Sequence, residues 1–252
     1  MDDHALLTLA AGLAEQAGAA ILAVRARGFA VERKDDQSPV TEADRAAEAI
    51  IVAGLRAAAP DLPVIAEEEV AAGRITAPTA SFWLVDPLDG TREFAAGKDE
   101  FVVNIGLVRD GRMALGVVFI PALAELFTGV VGTGAWKRDK SGESTIHTRA
   151  PPSEGLTVVA SRAHGDTAKI DALLAGGHVA RMLNYGSALK FCRLAEGLAD
   201  LYPRFGRTME WDTAAPQAVL EAAGGRVVTT DGARLGYGKP GWENPHFICW
   251  GQ

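Results

Sequence analysis

Cysteine is nearly missing from this chain. Two occur in 252 residues, Cys192 and Cys249, neither in a C-x-x-C pair nor beside a metal-ligand histidine. That argues against a disulfide scaffold and a thiolate metal site, and fits buried reduced thiols in a cytoplasmic protein. Basic charge is also in deficit, with 25 Lys and Arg against 32 Asp and Glu and a net charge of −7. A binder of nucleic-acid polymers or of anionic membranes would carry a basic excess or stripe, so neither is the expected partner. A small anionic substrate stays compatible, because a few cations and bound metal can make one pocket positive on an acidic surface. No run approaches about 18 uninterrupted apolar residues, so no transmembrane segment is expected, although peripheral membrane contact stays open. The opening Met1-Asp2-Asp3-His4 is acidic where a signal peptide would be basic. Internal repeats and low-complexity tracts are absent too. With 48% hydrophobic and 23% charged residues, the remainder is that of a soluble globular enzyme, long enough for one large domain or two modest ones.

The most informative stretch is Asp86-Pro87-Leu88-Asp89-Gly90-Thr91. It follows Phe82-Trp83-Leu84-Val85, a short apolar run that reads as a buried strand. Pro87 holds Asp86 extended and cannot continue a ladder, so a turn is expected to begin there. Asp86 and Asp89 can converge on one point, where they repel unless cations separate them, and hard divalent ions such as Mg²⁺ suit such a pair. Gly90 lets backbone approach a ligand closely, and Thr91 can cap a short helix whose N–H groups face an anion. The same residues also make a type I turn with Asx-type hydrogen bonds, a purely structural alternative.

Taken in order, apolar periodicity places a helix over 5–27, ended by Gly28, then a strand over 29–32 and a polar loop over 34–39. Thr41-Glu42-Ala43-Asp44 forms an N-cap box that opens a second helix to about Ala59, so Asp44 has a structural role available. A strand over 63–66 runs into Glu67-Glu68-Glu69. A triple acid is usually a solvated loop, yet neighbouring strand ends would set Glu67 beside Asp86. Strands over 101–108, 113–120 and 125–131 read as an antiparallel meander. The polar stretch 137–148 and Pro151-Pro152 mark the best boundary, dividing a half over 1–149 from a half over 150–252. Strands over 156–160, 178–184, 198–202, 226–230 and 246–250 then alternate with helices over 166–175, 187–197 and 212–223. The expectation is an α+β first half and an α/β second half with its site at the strand ends.

Three features of the second half face the same chemistry. Asp212 opens an Ala-rich helix, as a plain N-cap or as a ligand. Gly186-Ser187-Ala188 opens another whose N–H groups could seat an anion, with Lys190 one turn on, either as a surface lysine or as a phosphate contact. Arg204 suits bidentate phosphate binding or an ion pair.

Glu67-Glu68, Asp86 through Thr91, and Trp211-Asp212-Thr213-Ala214-Ala215 together resemble the inositol monophosphatase superfamily of Mg²⁺-dependent, lithium-sensitive phosphatases. Three spaced motifs agree in order across nearly the whole chain. Within it the chain looks most like the bacterial CysQ-type 3'(2'),5'-bisphosphate nucleotidases, through residues 34–41, 85–94, 160–164, 187–192 and 201–206. The resemblance implies a layered αβαβα sandwich of the inositol monophosphatase and fructose-1,6-bisphosphatase type. It implies two or three Mg²⁺ held by Glu67, Asp86, the Leu88 carbonyl, Asp89 and Asp212, with inhibition by Li⁺. Thr91, in contact with Asp44, would work with Glu67 to orient and deprotonate water, and the Gly90 and Thr91 amides would hold the departing phosphate. His164, Gly186, Ser187, Lys190 and Arg204 would bind the rest of adenosine 3',5'-bisphosphate, or of its 5'-phosphosulfate analogue, in a role linked to sulfate assimilation. Arg204 stands where inositol phosphatases place an acid, and a donor-only guanidinium suits a second phosphate better than a polyol. Glu69, and Arg92 where lysine is commoner, depart from the pattern without touching a proposed ligand. Homodimers are common among such proteins. A broad phosphomonoesterase acting on inositol or histidinol phosphate, and a non-catalytic anion-binding protein, are the alternatives.

Overall fold

In a computed structural model, residues 1–33, 39–161, 167–174 and 177–252 are described. The polar loop over 34–38 and the stretch 162–166, including His164, lie outside the described residues.

Helix α1 (Asp3–Arg27) is capped by Asp2, whose carboxylate accepts from Ala5 N at 2.8 Å, and ends at Gly28 with φ 82°. Its length and composition would let it cross a membrane. Thr8 and the Glu15-Gln16 pair interrupt its apolar run. Its Leu6, Ala10, Leu13, Ala17 and Ile21 are core residues, set one face apart at helical spacing. Strands β1 (Val31–Arg33) and β2 (Pro39–Thr41) form a small antiparallel ladder. Helix α2 (Glu42–Ala58) opens with the expected capping box: Thr41 accepts from Ala43 N, and Asp44 accepts from Thr41 N.

The first sheet contains seven strands in sequence order: β3 (Val64–Ala66), β4 (Ser81–Asp89), β5 (Val102–Arg109), β6 (Arg112–Ile120), β7 (Glu125–Val130), β8 (Gly134–Asp139) and β9 (Gly142–Ile146). Only β3 and β4 pair in parallel; the others form an antiparallel meander. Two short helices interrupt it, α3 (Glu67–Ala71) and α4 (Thr91–Ala95). The triple acid is thus a helix start and not a loop. The polar stretch from 137 is likewise the end of β8 and all of β9. Its polarity reports an exposed edge hairpin, where charge guards against further pairing, and it does not mark a linker.

The second sheet holds β10 (Leu156–Ser161), β11 (Val179–Tyr185), β12 (Leu201–Arg204), β13 (Arg226–Thr229) and β14 (Phe247–Trp250), in the order β11-β10-β12-β14-β13. β10 is parallel to both neighbours, whereas β14 is antiparallel to β12 and β13. Helices α5 (Thr167–Leu174), α6 (Leu189–Ala195) and α7 (Glu210–Ala222) accompany it.

The layers run α1 with α2, first sheet, α6 with α7, second sheet, α5. Between the sheets, α7 lies directly on the first one because glycines leave it room. A Cβ at Gly106 would sit 2.7 Å from Ala215 N, one at Gly116 would sit 2.2 Å from Ala215 O, and one at Gly129 would sit 2.8 Å from Val219 Cα. Those three positions pair with one another across β5, β6 and β7. The first turn of α7 is thereby brought to the ends of β3 and β4.

Candidate metal and phosphate site

Parallel pairing of β3 with β4 sets Ala66 opposite Val85, so Glu67 and Asp86 leave the two strands side by side. Asp86 is buried, and its carboxylate accepts from Leu88 N at 3.0 Å. The Asx-type bond and a ligand role therefore coexist in one residue. The ladder does not stop at Pro87, as the sequence suggested. It continues from Asp86 opposite Asn104 to Asp89 opposite Val102, with one extra residue on β4. A bulge of this kind reverses side-chain alternation, which puts Asp86 and Asp89 on the same side of the sheet, and Pro87 fits because the bulged segment needs no ladder N–H there.

Gly90 has φ 98° and an added Cβ would lie 2.9 Å from Glu100 O. The close approach is thus by the chain's own backbone. Gly90 is the cap of α4, and Thr91 is its first residue, not its cap. The Thr91 hydroxyl is directed at Asp44 Oδ1, 3.0 Å away, with Leu88 O at 3.1 Å. Asp44 is fixed from its other oxygen, which accepts from Thr41 N and Thr41 Oγ1, both at 2.8 Å. It serves the capping box and Thr91 together.

Asp212 is the third residue of α7 and not its N-cap; its Oδ2 accepts from Met209 N at 2.9 Å. Carboxylate oxygens of Glu67, Asp86 and Asp212 lie within 4.8 Å of one another. Asp89 is outside that trio, and its Oδ2 accepts from Ala188 N at 2.5 Å. All four acids line one cleft of about 660 Å³ with Leu88, Gly90, Thr91, Gly186, Ser187, Lys190 and Arg204.

The electrostatics are those of crowded acids. Burial first, then Glu67 and Asp89, push the Asp86 carboxyl well above the usual range. Burial followed by Asp89 and Glu67 do the same to Asp212. Asp89 is raised to about 6 by burial, an effect opposed by Lys190 and the Ala188 N–H. Three oxygen donors this close and this hard fit a divalent cation, which would offset the mutual repulsion of the acids.

The sequence profile of the inositol monophosphatase family matches residues 2–246. The chain belongs to the inositol monophosphatase family. It is 43% identical over 240 residues to the 3'(2'),5'-bisphosphate nucleotidase CysQ of Salmonella typhimurium, covering 93% of this chain and 95% of that protein. Identity to the Escherichia coli K12 protein of the same name is 42%, with the same coverage. Among solved structures, CysQ from Bacteroides thetaiotaomicron superposes with a TM-score of 0.82 at 34% identity, covering 98% of this chain and 97% of that one. The IMPase of Thermotoga maritima gives 0.81 at 27%, covering 99% and 92%.

Membership in the inositol monophosphatase family leaves the binding side of the cleft to be examined. The expected anion seat at 186–188 is partly spent: Gly186 N donates to Glu100 at 2.7 Å and Ala188 N donates to Asp89, and α6 starts only at Leu189. Lys190 is no surface lysine. It is 3% exposed, its ammonium donates to Ser187 O at 2.5 Å and lies 5.2 Å over the Tyr202 ring. Burial lowers its pKa to about 8, with Asp89 acting in the opposite sense. Arg204 ends β12 and donates from Nη2 to Arg207 O at 3.1 Å, while its buried Nε has no partner among the described residues.

Sequence reasoning missed Glu210. It is fully buried and accepts from Gly238 N and Lys239 N, both at 2.8 Å, with the Lys239 ammonium at 2.7 Å. That clamp holds the first turn of α7 and so Asp212. Its signal was an acid directly before a buried Trp-Asp pair. Arg207, which also lines the cleft, gave no signal.

Proposed function

We propose that the chain is a Mg²⁺-dependent phosphomonoesterase that removes the 3'-phosphate from adenosine 3',5'-bisphosphate, giving AMP and phosphate. The observation that carries this is the gathering of Glu67, Asp86 and Asp212 oxygens within 4.8 Å in a cleft that also holds Lys190 and Arg204. The relatives at 42–43% identity are 3'(2'),5'-bisphosphate nucleotidases, which supports the choice of nucleotide.

Glu67, Asp86, the Leu88 carbonyl, Asp89 and Asp212 would hold the ions. Bound Mg²⁺ supplies Lewis acidity, polarising the phosphoryl group and making water acidic near neutrality. The protein does the rest by placement. With the Thr91 hydroxyl proton directed at Asp44, its oxygen lone pairs are left to accept from water. Glu67 supplies a second acceptor, so a water between them is aligned for in-line attack on phosphorus and loses its proton toward carboxylate. The P–O3' bond breaks, the departing 3'-oxygen takes a proton from solvent to become the hydroxyl of AMP, and no covalent phosphoenzyme forms. Arg204 and Lys190 would meet the 5'-phosphate, and the 5'-phosphosulfate analogue falls in the same substrate class. His164 completes the proposed nucleotide-binding set. Two buried free thiols accord with a cytoplasmic location.

Phosphate release by the purified protein with Mg²⁺ tests the proposal, comparing adenosine 3',5'-bisphosphate with inositol 1-phosphate, histidinol phosphate and fructose 1,6-bisphosphate. The nucleotide is expected to give the highest kcat/KM, with chelator or Li⁺ suppressing turnover. A higher value for inositol phosphate overturns the nucleotide assignment, and nucleotide binding without phosphate release overturns the reaction.

A further inference from the structure

Helix α3 begins at Glu67 with nothing of its own to cap it, since the preceding residue is Ala66 and makes no side-chain bond. The open N–H of Glu68 is met from a distance. Glu48, on α2, reaches it with Oε2 at 2.7 Å. Glu48 is only 5% exposed and has Glu67, Glu68 and Glu69 for electrostatic neighbours. Holding a carboxylate there is costly, and packing alone would be better served by an apolar side chain.

Glu48 lies four residues after Asp44, so the two share one face of α2. Asp44 accepts from Thr91. A third tie comes from the last turn of the same helix, where Arg56 donates to both oxygens of Glu69 at 3.0 and 2.7 Å. We propose that Glu48 is a positioning residue: through the first turn of α3 it fixes Glu67, as Asp44 fixes Thr91, so that α2 alone aligns both acceptors of the attacking water. This rests on the function proposed above, but the placement of Glu67 as a cation ligand can be measured apart from turnover.

The test compares Glu48→Met, similar in length without a strong acceptor, with Glu48→Gln, which keeps an oxygen for the Glu68 N–H. Mg²⁺ affinity is read by calorimetry, and kcat and KM by phosphate release. Glu48→Met is expected to weaken Mg²⁺ binding and lower kcat by about 10- to 100-fold, the size found for residues that orient ligands from behind, with KM for the nucleotide held within about 2-fold because the groups that bind it are untouched. Glu48→Gln is expected to recover most of both losses. A folded Glu48→Met with wild-type Mg²⁺ affinity overturns the inference, and so does equal impairment of the two variants. Should Glu48→Met not fold, amide exchange decides: the Glu68 N–H is expected to be protected in wild type and in Glu48→Gln, and an unprotected amide in wild type overturns the inference. A wild-type protein that releases no phosphate from the nucleotide defeats the proposed reaction, while the Mg²⁺ and exchange measurements still decide for Glu48.

Discussion

Replacing Arg204 by alanine should separate recognition of the second phosphate from the chemistry. The guanidinium has spent one donor on Arg207 O, and its Nε has no partner among the described residues, which leaves it donors for an anion. A hydrogen bond to a charged group contributes about 1.5–3 kcal/mol. At roughly 1.4 kcal/mol per decade, Arg204→Ala should cut kcat/KM for adenosine 3',5'-bisphosphate by about 10- to 150-fold. The loss should appear in KM, because the contact is made equally in ground and transition states, remote from the breaking bond. Adenosine 3'-monophosphate, which keeps the scissile group and lacks the second phosphate, supplies the control. The variant should handle it within about 3-fold of wild type. Steady-state phosphate release with both substrates checks this. A loss of similar size for the two nucleotides would refute the assignment, since Arg204 would then be acting on the fold or on Asp212, whose carboxyl it also helps keep ionised.

Asp89→Asn should lower kcat by at least about 100-fold while the metal-free protein melts higher than wild type, because a buried charge among like charges is gone; calorimetry and phosphate release read the two effects. Metal-free wild type should lose thermal stability as pH rises. Asp89 is raised to about 6, and Asp86 and Asp212 are raised well above the usual carboxylate range, so the folded state binds more protons than the unfolded one. Its advantage is full below about pH 4 and is lost as pH passes through the raised values. Melting curves from pH 5 to 8 should therefore fall without Mg²⁺ and flatten with it, and the reverse slope would contradict the crowded-acid site. Gly116→Ala should lower Tm by several degrees, since the new methyl would meet Ala215 O and Cα, at 2.2 and 2.8 Å, and backbone cannot give way as a side chain can.

Local rules carried the sequence a long way. Helical periodicity fixed α1, the Thr41–Asp44 box fixed the start of α2, and strand ends about twenty residues apart placed Glu67 beside Asp86. Failures came where polarity was taken for absence of structure, as at β8 and β9, or where proline was taken for the end of a ladder and was instead part of a bulge. Lys190 looked exposed because the ring that shelters it, Tyr202, comes from another element, while its ammonium turns back onto the Tyr185 and Ser187 carbonyls. Nothing in the sequence singled out Glu48, since its partner is a backbone N–H on another element. Contacts of that kind leave no trace in spacing.

The place of β14 has a consequence for how the cleft comes into being. Phe247–Trp250 slots between β12 and β13, and Phe247 stands directly opposite Arg204. During synthesis the ribosome hands over Glu67, Asp86 and Asp89 early, but the strand bearing Arg204, with β10 on one side, lacks its second neighbour until β14 emerges. A chain stopped shortly before residue 247 would therefore carry all four cleft acids and still leave the strand bearing Arg204 with an open edge.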